Sequence, residues 1–213
     1  MSGDVTENRK QKENGQRMRL SGRTRKITMI GMLSALAYVI MMFEFPIPAL
    51  IPNFIQMDFS ELPALIGAFA LGPVEGAAVC LVKNLIHLTR SQTGGVGELS
   101  NFILGAVFVF TAGMIYRRRK SRKTAVIGSL VGALAMALVS IPSNYFLTYP
   151  VYAKVWPIDG ILAAYQEIYP NVNGLLGCLI IFNAPFTFVK GMCSVLITLL
   201  IYKKISPIIK GTY

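Results

Sequence analysis

The chain has 213 residues, of which 54% are apolar and only 15% are charged. A soluble domain of this length usually carries about a quarter charged residues, so the composition excludes an ordinary soluble enzyme or binding module. The net charge of +11 is compatible with nucleic-acid binding. The basic residues, however, lie in short clusters beside apolar runs, as on the cytoplasmic side of membrane proteins. We therefore expect an all-α integral membrane protein in contact with lipid and not with nucleic acid.

The N-terminal residues 1–26 are polar, basic and without periodicity, which predicts a disordered cytoplasmic arm. The apolar run that follows is too long for a typical signal peptide, and no small-residue cleavage site comes after it. We expect that run to be kept as the first membrane helix. The predicted organisation is an arm over 1–26, a membrane domain over 27–205 and a cytoplasmic tail over 206–213.

Six apolar segments follow in chain order, and each is a candidate membrane helix. Three prolines end the first segment, a Gly-Pro pair separates the second from the third, and a basic cluster ends the fourth. A longer polar and aromatic connection over 149–173, with room for a short helix, precedes the last. The predicted segments are 27–45, 58–71, 73–89, 98–116, 124–148 and 174–202.

The basic clusters also predict the topology. If the N-terminus is cytoplasmic and there are six crossings, the cluster over 117–123 and the pair Lys203 and Lys204 both lie inside, as does the C-terminus. Five or seven crossings would place one cluster outside. The sequence therefore predicts six transmembrane helices with both termini in the cytoplasm.

Polar residues interrupt the apolar segments near their predicted outer ends. A charged group at mid-membrane costs about 2.5–3.5 kcal/mol on insertion scales, so such residues usually face a cavity, a ligand or a partner charge. Lys190 has no acidic neighbour at helical spacing, so its partner must be another helix, backbone carbonyls or a ligand. The candidate ligand-binding residues in these segments are Lys83, Asn84, Asn101, Asn144, Asn183, Thr187 and Lys190.

Three further groups leave alternatives open. Asp58 and Glu61 stand at the start of the second segment, where they either cap the helix or contact a ligand. Phe59, with the aromatic residues around the proline-rich loop, belongs either to an interfacial belt or to a lid over an aromatic ligand. Gly31 and Ala35, four residues apart in the first segment, either pack inside the bundle or dock another membrane protein.

The sequence lacks the signatures of enzymes and energy-coupling proteins. It contains no G-x-x-x-x-G-K-[ST] phosphate loop and no H-E-x-x-H or G-x-S-x-G motif. The three cysteines lie in apolar runs, none in a C-x-x-C pair, which argues against a disulfide or a zinc site. We expect no catalytic residues, no metal and no cofactor.

Three stretches resemble a known family. They are Met57–Gly67 (MDFSELPALIG), Leu71–Gly76 (LGPVEG) and Leu81–Leu85 (LVKNL). They are similar to the riboflavin-binding S component, the substrate-specific subunit, of energy-coupling factor (ECF) transporters, and looser similarity extends over about 27–205. The resemblance implies a six-helix subunit of the bacterial cell membrane. It also implies an outward-facing pocket that the loop between the first two helices covers.

The resemblance implies roles for particular residues and partners. Asn144 and Lys190 correspond to groups that read the flavin ring, whereas Thr187 stands where the family has Asn. Asn183, one turn earlier, either compensates or shifts the ligand preference. Gly31 and Ala35 would contact a transmembrane coupling subunit, and two ATP-binding subunits would supply the energy. The residues left for the ribityl hydroxyls are Glu61, Lys83, Asn84 and Asn101.

Three alternatives remain at this point. The same architecture could serve another heterocyclic vitamin such as thiamine, which ligand co-purification would reveal. A self-sufficient secondary transporter would support uptake without an ATPase partner. An intramembrane enzyme using His87 and a serine would show turnover that a His87→Ala substitution abolishes.

Overall fold

The computed structural model describes the backbone of residues 2–91, 93–154 and 157–210, and the side chains of 22–91, 93–154, 157–198 and 200. The described chain is mostly helical. Its α-helices are α1 Ser2–Met41, α2 Glu61–Ala70, α3 Pro73–His87, α4 Val96–Arg118, α5 Arg122–Ser143, α6 Tyr149–Tyr152, α7 Ile158–Gln166, α8 Gly174–Cys178 and α9 Ala184–Lys210. Each predicted segment is largely helical in the structure, although α1 begins well before the predicted start and α9 ends beyond the predicted end.

Four helical stretches in the described part of the chain are long and apolar enough to cross a membrane, namely Gly22–Met41, Val96–Arg118, Arg122–Tyr152 and Gly174–Thr198. The α2 helix is apolar but has only 10 residues, and α3 has 15. At 1.5 Å per residue, α2 is about 15 Å long, half the thickness of a hydrocarbon core. The sequence predicts six membrane helices. In its described part, the structure has four helical stretches long enough to cross a membrane and two shorter helices, α2 and α3.

The N-terminal arm differs from the sequence expectation. The structure continues α1 as helix from Ser2 through the residues that precede Ile27, whereas the sequence predicts disorder there; the assignment of 1–26 as a separate cytoplasmic arm stays a prediction. The segment is rich in Glu, Lys, Arg and Gln and has no proline, a composition that favours helix even without an apolar face. At the other end, α9 runs to Lys210, into the predicted tail, and residues 211–213 lie outside the described part.

The loop between α1 and α2 folds back on itself. Two short strands, β1 (Phe45–Pro46) and β2 (Gln56–Met57), pair antiparallel with Phe45 opposite Met57. Between them, Ile51 is fully buried, whereas its neighbour Leu50 is 62% exposed. The loop is thus closed at its neck by backbone hydrogen bonds and held at its centre by one apolar side chain.

Small residues bring the central helices close together. A Cβ on Gly132 of α5 would lie 2.6 Å from the Phe108 carbonyl oxygen of α4, and a Cβ on Gly76 of α3 would lie 2.6 Å from the Ala68 Cβ of α2. Only glycine permits such approaches, which build tight helix pairs where lipid supplies no hydrophobic driving force. The main core lies among these helices and α9.

A second apolar cluster lies at the loop end of the molecule. It joins Ile51 of the first loop to the α6–α8 region, where its members are buried. These members are Tyr149, Ile161, Tyr165, Val172, Cys178, Leu179 and Phe182. The cluster forms a small apolar base beneath the loop.

Two π-helical turns, Asn144–Thr148 and Leu179–Asn183, interrupt the helical runs after α5 and before α9. A proline lacks an N–H and clashes with the carbonyl four residues earlier. For Pro185 that carbonyl belongs to Ile181, inside the second π turn, where the widened backbone accommodates it. Such π turns are often found at functional sites, and these two carry Asn144, Thr148 and Asn183.

Candidate ligand-binding cavity

A cavity of about 460 Å³ opens between the loop and the ends of α3, α4, α5 and α9. Its volume falls in the range of small-molecule sites, about 300–1,000 Å³. The α1 end, the loop, the α4 start, the two π turns and α9 each contribute to its wall. The lining residues are Met41, Glu44, Asn53, Phe54, Ile55, Gln56, Asp58, His87, Thr93, Gly97, Glu98, Ser100, Asn101, Leu104, Met136, Asn144, Thr148, Tyr149, Tyr152, Asn183, Phe186, Thr187 and Lys190.

Lys190 is the buried cation of the cavity wall. Its ammonium donates to Asp58 Oδ2 at 2.7 Å and to Asn101 Oδ1 at 3.2 Å. An ammonium carries three N–H donors, so one remains for a ligand. The sequence left the partner of Lys190 open, and the structure supplies it from the end of the loop and from α4.

Asp58 connects the loop to this wall. Its Oδ1 accepts a hydrogen bond from the Ser60 backbone N–H at 2.8 Å, so Asp58 both caps the turn before α2 and pairs with Lys190. Burial raises the pKa of the Asp58 carboxyl, but the charges of Lys190 and Lys83 outweigh this effect and hold the pKa below its ordinary value. Asp58 is therefore a carboxylate that holds Lys190 in place.

A second buried ion pair lies behind the cavity wall, next to the pair of Asp58 and Lys190. Lys83 of α3 lies 3.0 Å from Glu61 Oε1 and also donates to the Ser60 hydroxyl. Glu61 Oε1 is 3.9 Å from the Lys190 ammonium, whereas Glu61 Oε2 is buried without a hydrogen-bond partner. Two ammonium groups and two carboxylates thus form a neutral buried quartet, because isolated charges there would be costly.

Asn144 presents its amide from the first π turn. Ser100 of α4 donates to Asn144 Oδ1 at 3.1 Å, which orients the side chain and leaves its two N–H donors for a ligand. Thr187 lies one turn before Lys190 on α9, buried in the same wall. These three side chains, all on the wall, offer donors and acceptors to one edge of a bound molecule.

Asn183 lines the cavity but is already engaged. Its Oδ1 accepts from the Tyr165 hydroxyl at 2.6 Å, and its Nδ2 donates to the Tyr149 oxygen at 3.3 Å. Burial raises the pKa of the Tyr165 hydroxyl above its ordinary value, so it remains a neutral donor. Asn183 is thereby fixed to the α6–α7 region.

A histidine lies between two carboxylates on the opposite side of the cavity. His87 Nδ1 is 2.9 Å from Glu98 Oε1, and His87 Nε2 is 3.5 Å from Glu44 Oε1. Ser91 donates to the other Glu98 oxygen at 2.8 Å. Burial is the main cause that raises the pKa of Glu44, while the nearby His87 acts in the opposite sense. These contacts tie the end of α1 to α3 and α4.

Aromatic rings of the loop and of the α6–α7 region pack against each other beside the cavity. Phe54 lies 6.1 Å from Tyr152 and 6.1 Å from Tyr165 between ring centroids, within the usual range of aromatic pairs. Phe54 and Tyr152 also line the cavity. The loop therefore places an aromatic lid over a pocket whose wall is polar.

The structure brings most of the predicted site residues together. Asn144, Lys190, Thr187, Asn183, Asn101 and Asp58 line the cavity. Four others do not. Lys83 and Glu61 pair with each other behind the wall; Asn84 donates to the Cys80 carbonyl and accepts from Asn101; Phe59 packs against Phe45 with centroids 6.4 Å apart.

Several lining residues escaped the sequence analysis as ligand candidates. Glu44 and Glu98 are acidic groups that the sequence could explain as loop and helix-dipole residues, whereas Phe54 is one of the loop aromatics for which the sequence left open a belt or a lid. Tyr149 and Tyr152 belonged to a connection of unassigned conformation. Only the fold, which returns the loop and α6 to the same place, identifies them.

The predicted docking residues lie on a different face. Gly31 and Ala35 are both exposed on α1, while Ser34 and Ala37 of the same helix are buried against the bundle. A Cβ on Gly31 would meet no atom within 4 Å. The Gly31–Ala35 pair is therefore not used for packing within the described part of this chain, and its docking role stays a prediction.

Comparison with known proteins gives a consistent result. A family model described as "ECF transporter, substrate-specific component" matches residues 25–202. The chain is 33% identical to riboflavin transporter RibU of Staphylococcus aureus (strain TCH60), over 92% of this chain and 98% of that protein. It is 30% identical to riboflavin transporter FmnP of Bacillus subtilis (strain 168), over 87% of this chain and 94% of that protein.

A solved structure supports the same assignment. It is described as "Structure and mechanism of the S component of a bacterial ECF transporter", with a TM-score of 0.69 and 32% identity, and it covers 86% of this chain and 96% of that one. These relatives are transporter components rather than enzymes, and the four candidate spans fit a multi-pass protein of the bacterial cell membrane. The chain belongs to the family of substrate-specific components of ECF transporters.

Proposed function

We propose that this chain binds riboflavin from the outer side of the membrane and delivers it to the cytoplasm together with an ECF energising module. The observation that carries the proposal is the wall formed by Asn144, Thr187 and Lys190 in the 460 Å³ cavity. The names of the relatives from Staphylococcus aureus and Bacillus subtilis, both riboflavin transporters, support the same ligand.

The chemistry of the wall suits the flavin ring. The pyrimidine edge of riboflavin presents an acceptor, a donor and an acceptor in a row. Asn144 has two free N–H donors because Ser100 occupies only its oxygen, and Lys190 has one N–H left over from Asp58 and Asn101. Thr187 can donate or accept. The three groups therefore match one edge of the ring.

The rest of the cavity suits the rest of the ligand. Phe54, Tyr152 and Phe186 line it with aromatic surface, which fits the apolar dimethylbenzene end. His87 and the carboxylates Glu44 and Glu98 offer hydrogen-bond partners to ribityl hydroxyls. In this assignment Asn101 orients Lys190 by accepting a hydrogen bond from it. Lys83, Asn84 and Glu61 lie behind the wall and do not contact the ligand.

The proposal includes a topology and partners. Six helical segments cross or enter the membrane with both termini in the cytoplasm, so that the basic cluster over 117–123 also lies inside. Gly31 and Ala35 on the exposed face of α1 dock a transmembrane coupling subunit. Two ATP-binding subunits supply the energy, since this sequence has no phosphate-binding loop of its own.

The experiment is a riboflavin titration of the purified protein followed by quenching of flavin fluorescence. We expect Asn144→Ala and Lys190→Ala each to weaken binding by about tenfold or more, as for one lost hydrogen bond to a buried polar group. The matched controls are Asn171→Ala and Lys154→Ala, because both residues are exposed and outside the cavity lining. Unchanged affinity in both cavity variants would place the ligand elsewhere.

A further inference from the structure

The end of the bundle opposite the cavity is strongly basic. Six of the seven residues over 117–123, where α4 ends and α5 begins, are Lys or Arg, and all six are exposed. We call this segment the basic turn. Beside it, Lys26 of α1 pairs with Glu75 of α3 at 2.7 Å, and the charge of Arg117 acts on the same carboxylate. The basic turn therefore lies next to α1 and α3 on one face of the protein.

Acidic side chains are scarce at this end. Of the seven carboxylates whose side chains the structure describes, only Glu75 lies near the basic turn, and Lys26 already occupies it. The other six lie around the cavity or in the α7 region, namely Glu44, Asp58, Glu61, Glu98, Asp159 and Glu167. None of the six basic side chains of the turn forms an ion pair with another described side chain. Their charges therefore repel one another without a neutralising partner in the described chain.

The apolar surface beside the basic turn indicates what kind of anion fits. On α4, Met114 is 43% exposed only three residues before the turn begins. On α5, Ile127 is 55% exposed four residues after the turn ends, which is about 6 Å along the helix. Exposed apolar side chains that lead directly into exposed basic ones match a bilayer, where acyl chains adjoin charged headgroups. A nucleic acid or an acidic soluble protein would leave the apolar side chains without a partner.

The first turn of α5 also favours an external anion. A helix N-terminus carries a partial positive charge, which acidic residues in the first turn usually balance. The α5 helix has no acidic residue there and begins instead with Arg122 and Lys123. Ser121 caps the helix by accepting a hydrogen bond from the Thr124 backbone N–H at 3.2 Å. Two positive side chains thus add to the positive end of the helix, an arrangement that is unfavourable unless an anion lies close by.

We propose that the basic turn binds the phosphate groups of anionic phospholipids in the leaflet at this end of the bundle, while Met114 and Ile127 contact their acyl chains. In the topology proposed above, this is the cytoplasmic leaflet. Arg and Lys side chains donate charge-assisted hydrogen bonds to phosphate oxygens. Each basic residue near an anionic surface strengthens the attraction by about fivefold. The inference goes beyond the proposed function, because it concerns the opposite end of the protein and does not depend on the ligand in the cavity.

The test measures thermal unfolding of the purified full-length protein in an uncharged detergent, titrated with phosphatidylglycerol or with phosphatidylcholine. A lipid that binds only the folded protein raises the melting temperature. We expect a saturable increase with phosphatidylglycerol and a much smaller one with phosphatidylcholine. In the double variant Arg122→Gln/Lys123→Gln, the phosphatidylglycerol concentration that gives half of the maximal increase should rise at least about tenfold. The matched control is Arg90→Gln/Lys154→Gln, which removes two exposed charges at the cavity end and should leave that concentration unchanged.

The same variant in detergent alone separates lipid binding from a general loss of stability. Because it removes two positive charges from the positive end of α5, Arg122→Gln/Lys123→Gln should melt no lower than the wild type when lipid is absent. Added salt should weaken the effect of phosphatidylglycerol on the wild type.

Three results would overturn the inference. The first is an equal increase in melting temperature with the two lipids. The second is the same half-maximal concentration of phosphatidylglycerol in the wild type and in Arg122→Gln/Lys123→Gln. The third is an equal increase when inorganic phosphate or heparin replaces the lipid, because the turn would then bind anions in general and not a lipid surface.

Discussion

Asp58 and Lys190 lie 132 positions apart in the chain, yet Asp58 Oδ2 is 2.7 Å from the Lys190 ammonium. Asp58 ends the loop that covers the cavity, whereas Lys190 belongs to the last long helix. The ion pair therefore joins the lid to the wall. It also orients the one lysine that we propose to contact the ligand.

The first prediction concerns this pair. Asp58→Asn leaves Lys190 buried with Glu61, 3.9 Å away, as its nearest remaining carboxylate. We expect a loss of about 3–5 kcal/mol in the free energy of unfolding, together with weaker riboflavin binding. Thermal unfolding in detergent measures the first effect, and Asp159→Asn on the exposed start of α7 is the control.

The same pair can be examined in a double-mutant cycle. Because Asp58→Asn and Lys190→Gln remove partners of one interaction, the double variant should lose less stability than the two single losses added together. Strict additivity of the two single losses would mean that the two side chains do not interact.

The stability that Asp58 contributes should also depend on pH. Since folding lowers the pKa of Asp58, its contribution is present at neutral pH and is lost as the pH falls below the ordinary Asp value of about 4.

The second prediction concerns the lid. Ile51 is fully buried in the apolar cluster with Tyr149 and Tyr165, whereas Leu50 beside it is 62% exposed. Truncating a buried Ile costs about 2–5 kcal/mol, and part of this should appear as easier opening of the loop. Ile51→Ala should accelerate riboflavin dissociation by about tenfold or more, measured by stopped-flow fluorescence. Leu50→Ala should leave the dissociation rate unchanged. If the two variants released riboflavin at similar rates, Ile51 would not be the residue that holds the loop closed.

The third prediction concerns Thr187, which stands where the family resemblance implies Asn. We do not expect Asn183 to replace it, because its Oδ1 accepts from Tyr165 and its Nδ2 donates to Tyr149. Thr187→Asn should tighten riboflavin binding severalfold, and Thr187→Val, which keeps the shape but removes the hydroxyl, should weaken it by about tenfold. We expect calorimetric or fluorescence titration to give the order Asn, Thr, Val from tightest to weakest. If Thr187→Val bound riboflavin as tightly as the wild type, the hydroxyl would make no contact with the ligand.

The fourth prediction separates packing from propensity. An added Cβ at Gly132 would lie 2.6 Å from the Phe108 carbonyl oxygen, whereas one at Gly160 would meet nothing within 4 Å. Gly132→Ala should therefore destabilise the protein by about 1–3 kcal/mol. Gly160→Ala, inside α7, should stabilise it slightly, by up to about 1 kcal/mol. Thermal unfolding of both variants in the same detergent measures the difference.

The fifth prediction concerns docking to the coupling subunit. Ala35 lies on the exposed face of α1, so Ala35→Leu should leave riboflavin binding intact while it prevents close approach of a partner helix. Uptake in cells that contain the energising module should fall strongly. Ala163→Leu, also exposed but on α7, should transport normally. Normal uptake by Ala35→Leu would remove this face from the interface.

Much of the fold could be predicted from the sequence because its determinants are local. The length of each apolar run indicates a helix. The helix ends are marked within a few residues by local signals, namely the prolines at 46, 48 and 52 after α1, the Gly72-Pro73 turn between α2 and α3, and the basic cluster after α4. The backbone before Ile27 is helical in the structure although the sequence there has no apolar periodicity, because the segment is rich in helix-forming residues and contains no proline. The two π turns also have no simple sequence signature.

The site was predicted less completely, for a physical reason. A polar residue in an apolar segment signals that it has a partner, but not whether the partner is a ligand or another side chain. Lys83 and Lys190 look equivalent in sequence; the structure pairs Lys83 with Glu61 behind the wall and leaves Lys190 facing the cavity. The loop residues Glu44 and Phe54 reach the cavity only through tertiary folding.

The central claim, that riboflavin occupies this cavity, is tested most directly by the visible absorption spectrum of the detergent-purified protein. We expect a flavin spectrum that stays with the protein through gel filtration, is identified as riboflavin after denaturation, and is lost in a protein that carries both Asn144→Ala and Lys190→Ala. A colourless wild-type protein that also fails to quench the fluorescence of added riboflavin would contradict the claim.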